Sequence, residues 1–241
     1  MQCAKGIGVI GAMDVEIDLL RQVMREQGSC EEVQAGPYTF YRGTMEGTPI
    51  VVVQCQIGMV NAAACTQRLI DEFGVAAVVN TGVAGSLNAD INIGDVVVAT
   101  DAVNHYMDVG NLGYAPGQTP GLSTLSFPCD ETLRQAALSA AAELQVTTWE
   151  GRVASSDLFV REDADKQRIV SQFGASCCEM EGAAIAQVCW LNQIPCAILR
   201  AISDKADGSA EVDYPTFEAA AAKTCANLTR LMIGSFSGFS M

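Results

Sequence analysis

Three acidic residues, Glu16, Glu181 and Asp204, lie where strand-like or helical runs begin or end. Acids at the carboxyl ends of strands are common in the active sites of α/β proteins. Separated carboxyl groups can protonate a leaving group, hold hydroxyl groups and activate water, and breaking the C–N bond of a nucleoside needs all three. Three separated carboxyl groups would meet those needs.

Each acid also has a purely structural interpretation. Asp14 and Glu16 stand at the start of a predicted helix, where Asp14 suits an N-cap and Glu16 is left for chemistry. In an extended segment, Glu179 and Glu181 would share one face, with Met180 on the other. Two carboxylates beside apolar surface need a donor or a ligand, and the vicinal hydroxyls of a sugar would serve.

Other kinds of site have less support in the sequence. The segment 6–11 matches the glycine pattern of dinucleotide-binding proteins, but its glycines fall inside the first predicted strand and not in a turn after it. His105 is the only histidine, which leaves no Ser-His-Asp or Cys-His arrangement. Without a Cys-x-x-Cys pair, there are too few spaced ligands for zinc. We expect no metal and no organic cofactor.

The composition favours one domain spanning residues 1–241. The chain is 49% hydrophobic and 17% charged, which suits a single large core. Its net charge of -14 disfavours nucleic acid and anionic membranes as partners. Apolar runs stay below the roughly 18–20 residues of a membrane helix, and the N-terminus lacks a signal-peptide pattern. We expect a cytoplasmic protein whose ten cysteines are mostly reduced core thiols.

Strands and helices alternate along the sequence. Apolar runs predict strands at 7–11, 76–80, 97–100, 151–154 and 196–202, and a hairpin joining 38–42 to 50–54. Helical spacing predicts helices at 16–24, 60–73, 130–145, 182–192 and 216–234, with Pro215 in a first-turn position. Small residues at 81–85 indicate a ligand-binding loop, and 107–128 an ordered functional loop. The expected fold class is α/β, a three-layer α/β/α sandwich with a mixed central sheet.

Five motifs, in this order, resemble those of the 5′-methylthioadenosine/S-adenosylhomocysteine nucleosidases, the hydrolytic branch of the nucleoside phosphorylase family. They are Ile-Gly-Ala-Met-Asp-x-Glu at 10–16, Asn-Thr-Gly-x-Ala-Gly at 80–85, Ser-x-Asp-x-Phe at 155–159, Glu-Met-Glu-Gly-Ala-Ala at 179–184 and Arg-Ala-Ile-Ser-Asp at 200–204. The resemblance extends over about 7–233. It implies a nucleoside phosphorylase-like fold, an adenine nucleoside as substrate, and a homodimer in which the loop around Tyr114 and Pro120 reaches toward the partner's pocket.

The resemblance also implies a role for each matching residue. Glu16 would activate water, Asp204 would protonate adenine N7 with the help of Ser203, and Glu181 would hold the ribose hydroxyls. The other substrate-binding positions surround the ribose, the base and the 5′ group. Met180 would pack under the ribose, Phe159 would stack on adenine, and the backbone of Val160 would recognise the edge of the base. The 5′ pocket would be lined by Met13, Ile57 and Tyr214. Arg200 would lie near the nucleophile, and the remaining substrate-binding positions are Glu179, Ala84 and Gly85.

The sequence departs from the family pattern at Val83, Ser86 and Tyr214, where serine, glycine and phenylalanine are usual. Val83 removes a hydroxyl near the ribose, and Tyr214 adds a polar tip to an apolar pocket. The segment 11–20 contains three acids and no basic residue, which disfavours a phosphate nucleophile. The alternatives are hydrolysis of 6-amino-6-deoxyfutalosine, a phosphate-dependent purine nucleoside phosphorylase, and a nucleoside-binding protein without activity.

Overall fold

A computed structural model describes residues 6–207 and 209–236 of the chain. In these residues, ten strands form one mixed sheet, and helices pack on both of its faces. The strands are β1 (Ile7–Gly11), β2 (Cys30–Ala35), β3 (Tyr38–Met45), β4 (Thr48–Gln54), β5 (Ala77–Ser86), β6 (Val96–Asn104), β7 (Phe127–Pro128), β8 (Thr148–Ser155), β9 (Cys177–Glu179) and β10 (Cys196–Asp204). The helices are α1 (Asp14–Glu26), α2 (Met59–Phe73), α3 (Glu131–Glu143), α4 (Asp163–Phe173), α5 (Gly182–Asn192) and α6 (Ala210–Gly234).

The sheet closes on itself over half of its width. From the β2 edge the strand order is β2-β3-β4-β1-β5-β9-β8-β6-β10, and β10 then pairs back onto β5. Strands β1, β4, β5 and β10 run parallel, so the carboxyl ends of β1, β5 and β10 lie at one end of the sheet. Strand β9 runs antiparallel to β5 and meets it at Gly85 and Ser86, at that same end. The carboxyl ends of β1, β5 and β10 therefore lie close to β9 at this end of the sheet.

The helices form two outer layers. Helices α1, α3 and α6 pack on one face around Ile17, Leu133 and Leu228, and α2 and α5 pack on the other around Leu69 and Ile185. Helix α5 is buried on nearly all sides, which its small residues permit because they let it approach both the sheet and α2. The expected three-layer α/β/α architecture with a mixed sheet is confirmed.

Strand β5 continues through the segment that the sequence predicts to be a loop. Residues 81–85 pair with β10, and Gly85 and Ser86 pair with β9, and this pairing keeps a run of small residues extended. The prediction of a loop after Asn80 is therefore wrong, although the segment does lie at the site.

Strand β2 and helix α4 are absent from the sequence prediction, as are the short strands β7 and β9. Strand β2 is a half-exposed edge strand with the sequence Cys-Glu-Glu-Val-Gln-Ala, so it lacks the apolar run of a central strand. Helix α4 buries only Ile169 and Phe173 fully and is otherwise polar. Strand β2 and helix α4 owe their conformation to the neighbours they pack on, because their own patterns are weak.

The start of the last helix also differs from the prediction. Helix α6 begins at Ala210, where the Ala210 N–H bonds the Asp207 carbonyl oxygen at 2.9 Å, so Pro215 lies inside the helix and not in its first turn. In the hairpin, Glu46 and Gly47 have φ values of 49° and 83°, which makes a two-residue turn and extends β3 to Met45.

Residues 107–128 contain turns, a 3-10 helix at Gly110–Leu112 and the short strand β7, in line with the expected ordered loop. Its functional role stays a prediction. The nine described cysteines are all unpaired thiols and eight of them are buried, as expected for core residues. No helix within the described residues combines the length and the apolarity needed to cross a membrane.

Candidate active site

A cavity of about 350 Å³ lies at the carboxyl ends of β1, β5 and β10, beside β9. Thirteen of the fourteen predicted catalytic and substrate-binding residues line it. They are Met13, Glu16, Ile57, Ala84, Gly85, Phe159, Val160, Glu179, Met180, Glu181, Ser203, Asp204 and Tyr214. The exception is Arg200, which lies behind the wall.

Glu16 is fixed on the cavity wall by backbone amides. Its Oε2 accepts from the N–H groups of Ala12 at 2.6 Å and Met13 at 3.0 Å, and its Oε1 accepts from Val83 N–H at 3.0 Å. Burial raises the pKa of the Glu16 carboxyl, and Arg200 and the three amides only partly oppose this shift. A carboxylate held in one orientation with a raised pKa is suited to accept a proton from water.

The N-terminus of α1 corrects the interpretation of Asp14. The expected N-cap is exposed and forms an ion pair with Arg21 at 3.1 Å, and Met13 occupies the capping position. The backbone N–H groups of Ala12 and Met13, just before the helix, donate to Glu16, because its carboxylate reaches back over the first turn. The Glu16 carboxylate thus bonds the backbone at the N-terminus of α1 and also lines the cavity.

Behind the wall, Arg200 holds Glu179 in a buried ion pair. Arg200 Nη2 donates to Glu179 Oε2 and to Asn80 Oδ1, each at 2.5 Å, and both charged side chains are at most 3% exposed. Glu179 Oε2 also accepts from the N–H groups of Glu181 at 3.0 Å and Gly182 at 2.8 Å. Burial alone would raise the pKa of Glu179, but the Arg200 guanidinium and these donors keep it below its usual range.

The Arg200–Glu179 pair changes the roles predicted for both residues. Glu179 reaches the wall, but its Oε1 bonds Ser155 Oγ, so both of its oxygens already have protein donors. Arg200 is 1% exposed and has no surface to offer a ligand. Strand β10 is buried on both faces, so Arg200 needs a buried anion as its partner, and Glu179 is that anion. The two residues therefore support the neighbouring acids.

Glu181 lies next to this pair with only one strong partner of its own. Its Oε1 accepts from Gly58 N–H at 2.9 Å, and its Oε2 is 4.0 Å from Arg200 Nη2. Burial and the negative charge of Glu179 raise the pKa of Glu181 to about 8. Strand β9 ends at Glu179, so the two acids do not share one face of an extended segment as predicted; Glu181 is instead the N-cap residue of α5. Oxygen Oε2 remains available to a hydroxyl ligand.

Asp204 ends β10 on the opposite side of the cavity from Glu16. Its Oδ2 accepts from Ser203 Oγ at 2.9 Å and its Oδ1 accepts from Ala206 N–H at 2.8 Å. Burial is the main cause of a raised pKa, against the effect of these two bonds. A carboxyl group with a raised pKa is suited to act as a general acid.

The positions of two glycines show how far apart Glu16 and Asp204 lie. A Cβ on Gly82 would overlap Glu16 Oε1, and a Cβ on Gly85 would be 2.7 Å from Asp204 Oδ1. Each acid therefore contacts β5 directly, and the contact points are three residues apart, or about 10 Å along the strand. This separation leaves room for a small molecule between the two carboxyl groups.

Apolar side chains form the rest of the wall. Phe159 and Tyr214 meet edge to face with ring centroids 5.5 Å apart, and Phe159 and Ile57 are 41% and 49% exposed, which leaves this side of the cavity open to solvent. Ala12, Leu158 and Cys178 are wall residues that the sequence did not predict. Each of these three residues is adjacent in sequence to a predicted residue, and this adjacency could have been used to predict them.

The remaining candidates lie outside the cavity. Gly8 and Gly11 fall within β1 as predicted, and a Cβ on Gly8 would be 2.5 Å from Leu69, so close packing explains this glycine. His105 is buried, with its Nδ1 at 3.2 Å from Arg168 Nη2; burial and the Arg168 charge lower its pKa to about 4. Within the described residues no cluster of three metal-ligating side chains is found.

A family model described as the phosphorylase superfamily matches residues 6–234. The chain belongs to this superfamily. Its relatives are nucleosidases: it is 36% identical to a 5′-methylthioadenosine/S-adenosylhomocysteine nucleosidase of Anoxybacillus flavithermus, covering 96% of this chain and 99% of the relative. It is 35% identical to an aminodeoxyfutalosine nucleosidase of Campylobacter jejuni, covering 94% and 97%.

A solved structure agrees with this placement in the superfamily. The 5′-methylthioadenosine/S-adenosylhomocysteine nucleosidase of Neisseria meningitidis, in complex with methylthio-immucillin-A, superposes with a TM-score of 0.92 at 37% identity and covers 96% of this chain and 99% of that one. The fold and the family that the five motifs predict are confirmed. The chain is a member of the nucleosidase branch of the phosphorylase superfamily.

Proposed function

We propose that this phosphorylase-superfamily member hydrolyses the N-glycosidic bond of 5′-methylthioadenosine and S-adenosylhomocysteine, releasing adenine and the 5-thio-substituted ribose. The observation that carries the proposal is a single cavity whose charged wall residues are all acids, Glu16, Glu179, Glu181 and Asp204, set in an otherwise mainly apolar wall. Relatives with these two activities in their names match almost the whole chain.

The reaction follows from where the three available acids lie. Asp204, with its raised pKa, donates a proton to adenine N7, so that the base leaves as a neutral molecule. Glu181 binds the ribose hydroxyls. Glu16, about 10 Å away along β5, removes a proton from the water that attacks the oxocarbenium-like ribose.

The wall also favours water over phosphate as the nucleophile. A phosphate ion needs cationic or amide donors, and none of the described wall residues is Lys, Arg or His. The amides of Ala12, Met13 and Val83 already bond Glu16, and Arg200 already bonds Glu179. A phosphate beside Glu16 would be repelled.

The alternative substrate, 6-amino-6-deoxyfutalosine, presents the same base and ribose to the same acids. The Campylobacter jejuni relative carries the name of that activity, at an identity one percentage point below that of the Anoxybacillus flavithermus relative. The two substrates differ at the 5′ group, which meets the wall formed by Met13, Ile57 and Tyr214. Relative kcat/KM values for the three nucleosides distinguish these activities.

The test is adenine release from 5′-methylthioadenosine in phosphate-free buffer, with and without added phosphate. We expect release without phosphate, and a loss of about 100-fold or more in Asp204→Asn and in Glu16→Gln. The matched controls are Asp90→Asn and Glu26→Gln, which change exposed acids outside the cavity. A requirement for phosphate would make the protein a phosphorylase, and tight binding without release would make it a nucleoside-binding protein.

We also propose a cytoplasmic homodimer. The unpaired thiols suit a reducing compartment. Val60, three residues after the wall residue Ile57, is 78% exposed, and Leu112 in the 107–128 loop is 67% exposed, so both side chains offer apolar surface to a partner. Light scattering after size exclusion should give twice the chain mass, and Val60→Asp with Leu112→Asp should give the mass of one chain.

A further inference from the structure

The side of the cavity between α1 and α6 carries one polar group in an apolar surface. Tyr214 Oη donates to Glu218 Oε1 at 2.9 Å and lies 3.3 Å from Met13 Sδ. Met13 and Tyr214 both line the cavity, and Phe159 packs against the Tyr214 ring. Glu218, which does not line the cavity, thus holds the phenol oxygen of Tyr214 at the cavity surface.

The geometry of α6 makes this arrangement rigid. Tyr214 and Glu218 are four residues apart on the helix, so their side chains lie on the same face. Glu218 is half-buried and takes part in no ion pair among the described residues, so its negative charge is not neutralised there. Asp213, which accepts from Ser209 Oγ at 2.7 Å, adds a second negative charge on the adjoining turn.

The hydrogen bond determines what the phenol can offer a ligand. A hydroxyl has one proton, and Tyr214 gives it to Glu218, so only lone pairs of the oxygen face the cavity. The carboxylate polarises this oxygen and strengthens it as an acceptor. Burial and the Glu218 bond raise the pKa of Tyr214, so the phenol keeps its proton. A hydrogen-bond donor on the ligand is therefore favoured here, and a cationic donor most of all, while an anion is repelled.

We propose that Tyr214 and Glu218 form a specificity element for the 5′ substituent, which selects a cationic donor such as the ammonium group of the homocysteinyl chain over an anionic group. The inference rests on the proposed function, because it assigns the Met13–Tyr214 side of the cavity to the 5′ group. It adds that this side distinguishes substituents by charge as well as by apolar contact. S-adenosylhomocysteine then binds with its ammonium group toward Tyr214 and its carboxylate toward solvent.

The experiment compares two adenine nucleosides that differ only at the end of the 5′ chain. One carries a 3-aminopropylthio group and the other a 3-carboxypropylthio group, and adenine release from 5′-methylthioadenosine is the reference. We expect the wild-type kcat/KM to favour the amine by about tenfold, the effect of one charge-assisted hydrogen bond. Glu218→Gln and Tyr214→Phe should each bring the amine-to-carboxylate ratio close to one.

The ratio is measured within each variant, so a partial loss of folded protein cancels. Glu143→Gln is the matched control, because it removes one exposed negative charge outside the cavity and should keep the wild-type ratio. The double variant should show no further change beyond either single variant, since both residues act as one unit.

The outcomes separate this inference from the proposed function. Failure to release adenine from 5′-methylthioadenosine without phosphate would refute the hydrolase function itself. Release of adenine with an amine-to-carboxylate ratio near one in the wild type, or with a ratio that both variants leave unchanged, would overturn the specificity element alone. A preference for the carboxylate would also overturn it.

Discussion

Removal of the buried Arg200 side chain should strongly destabilise this protein. Arg200 is the largest of the fully buried side chains, and its guanidinium is surrounded by Glu179, Glu16 and Glu181. In Arg200→Met the apolar replacement fills much of the space, but three buried acids lose the positive charge that offsets them. Asn80 Oδ1 loses its donor as well.

The expected loss can be worked from this burial. Removing one partner of a buried ion pair costs about 3–5 kcal/mol, because the other charge is left without compensation. For a chain of this length, each kcal/mol lowers the melting temperature by about 2–4 °C. Arg200→Met should therefore melt about 6–20 °C below the wild type near neutral pH. The difference should shrink as the pH falls, because Glu179 in the variant has lost the guanidinium that lowers its pKa and is protonated at a higher pH than in the wild type.

The assay is thermal unfolding followed by circular dichroism, with Arg42→Met as the matched control. Arg42 pairs with Glu31 on the surface, where the side chains are 55% and 60% exposed, and such pairs contribute about 0–1 kcal/mol. The double variant Arg200→Met with Glu179→Gln should recover part of the loss, since it removes an uncompensated anion. If Arg200→Met melts no lower than Arg42→Met, the support role of the Arg200–Glu179 pair is refuted.

Two further predictions concern the acids beside this pair. The pKa of Glu181 is raised to about 8 from 4.5, so its protonated carboxyl favours the folded state at low pH, and this contribution is lost as the pH rises through 8. The melting temperature of Glu181→Gln should therefore fall less than that of the wild type between pH 4 and pH 9. An equal fall in the two proteins would contradict the raised pKa. In Gly82→Ala, the new Cβ would overlap Glu16 Oε1 and lie 2.6 Å from Arg200 Nη1. The Gly82→Ala substitution should lower the kcat of adenine release about 100-fold, because it displaces Glu16. The control Gly110→Ala, in the exposed loop, should keep a kcat near that of the wild type. Equal kcat values for the two variants would show that catalysis does not depend on the precise position of Glu16.

The places where sequence prediction failed share one physical cause. Strand β5 was predicted to end at Asn80 because small residues have low strand propensity, yet pairing with β9 and β10 keeps it extended to Ser86. Strand β2 and helix α4 have weak patterns, and neighbours supply their stability. Asp14 was a reasonable N-cap by residue type, but the helix already begins at Asp14, with Met13 as its N-cap residue and Glu16 bonded to the amides of Ala12 and Met13. For the three strand and helix cases, a tertiary contact outweighed a local preference.

The sequence by itself determined the family, the layered α/β fold and most of the side chains that line the cavity, because motifs and hydrophobic periodicity are local properties of the chain. Only the tertiary structure decided how the charges are shared. Glu179 and Arg200 come from different strands and meet at 2.5 Å behind the wall, while Glu181 is left with a pKa near 8. Residue types reveal which groups can titrate, but burial and the distance to a counter-charge set which of them do so, and both quantities exist only once the strands are side by side.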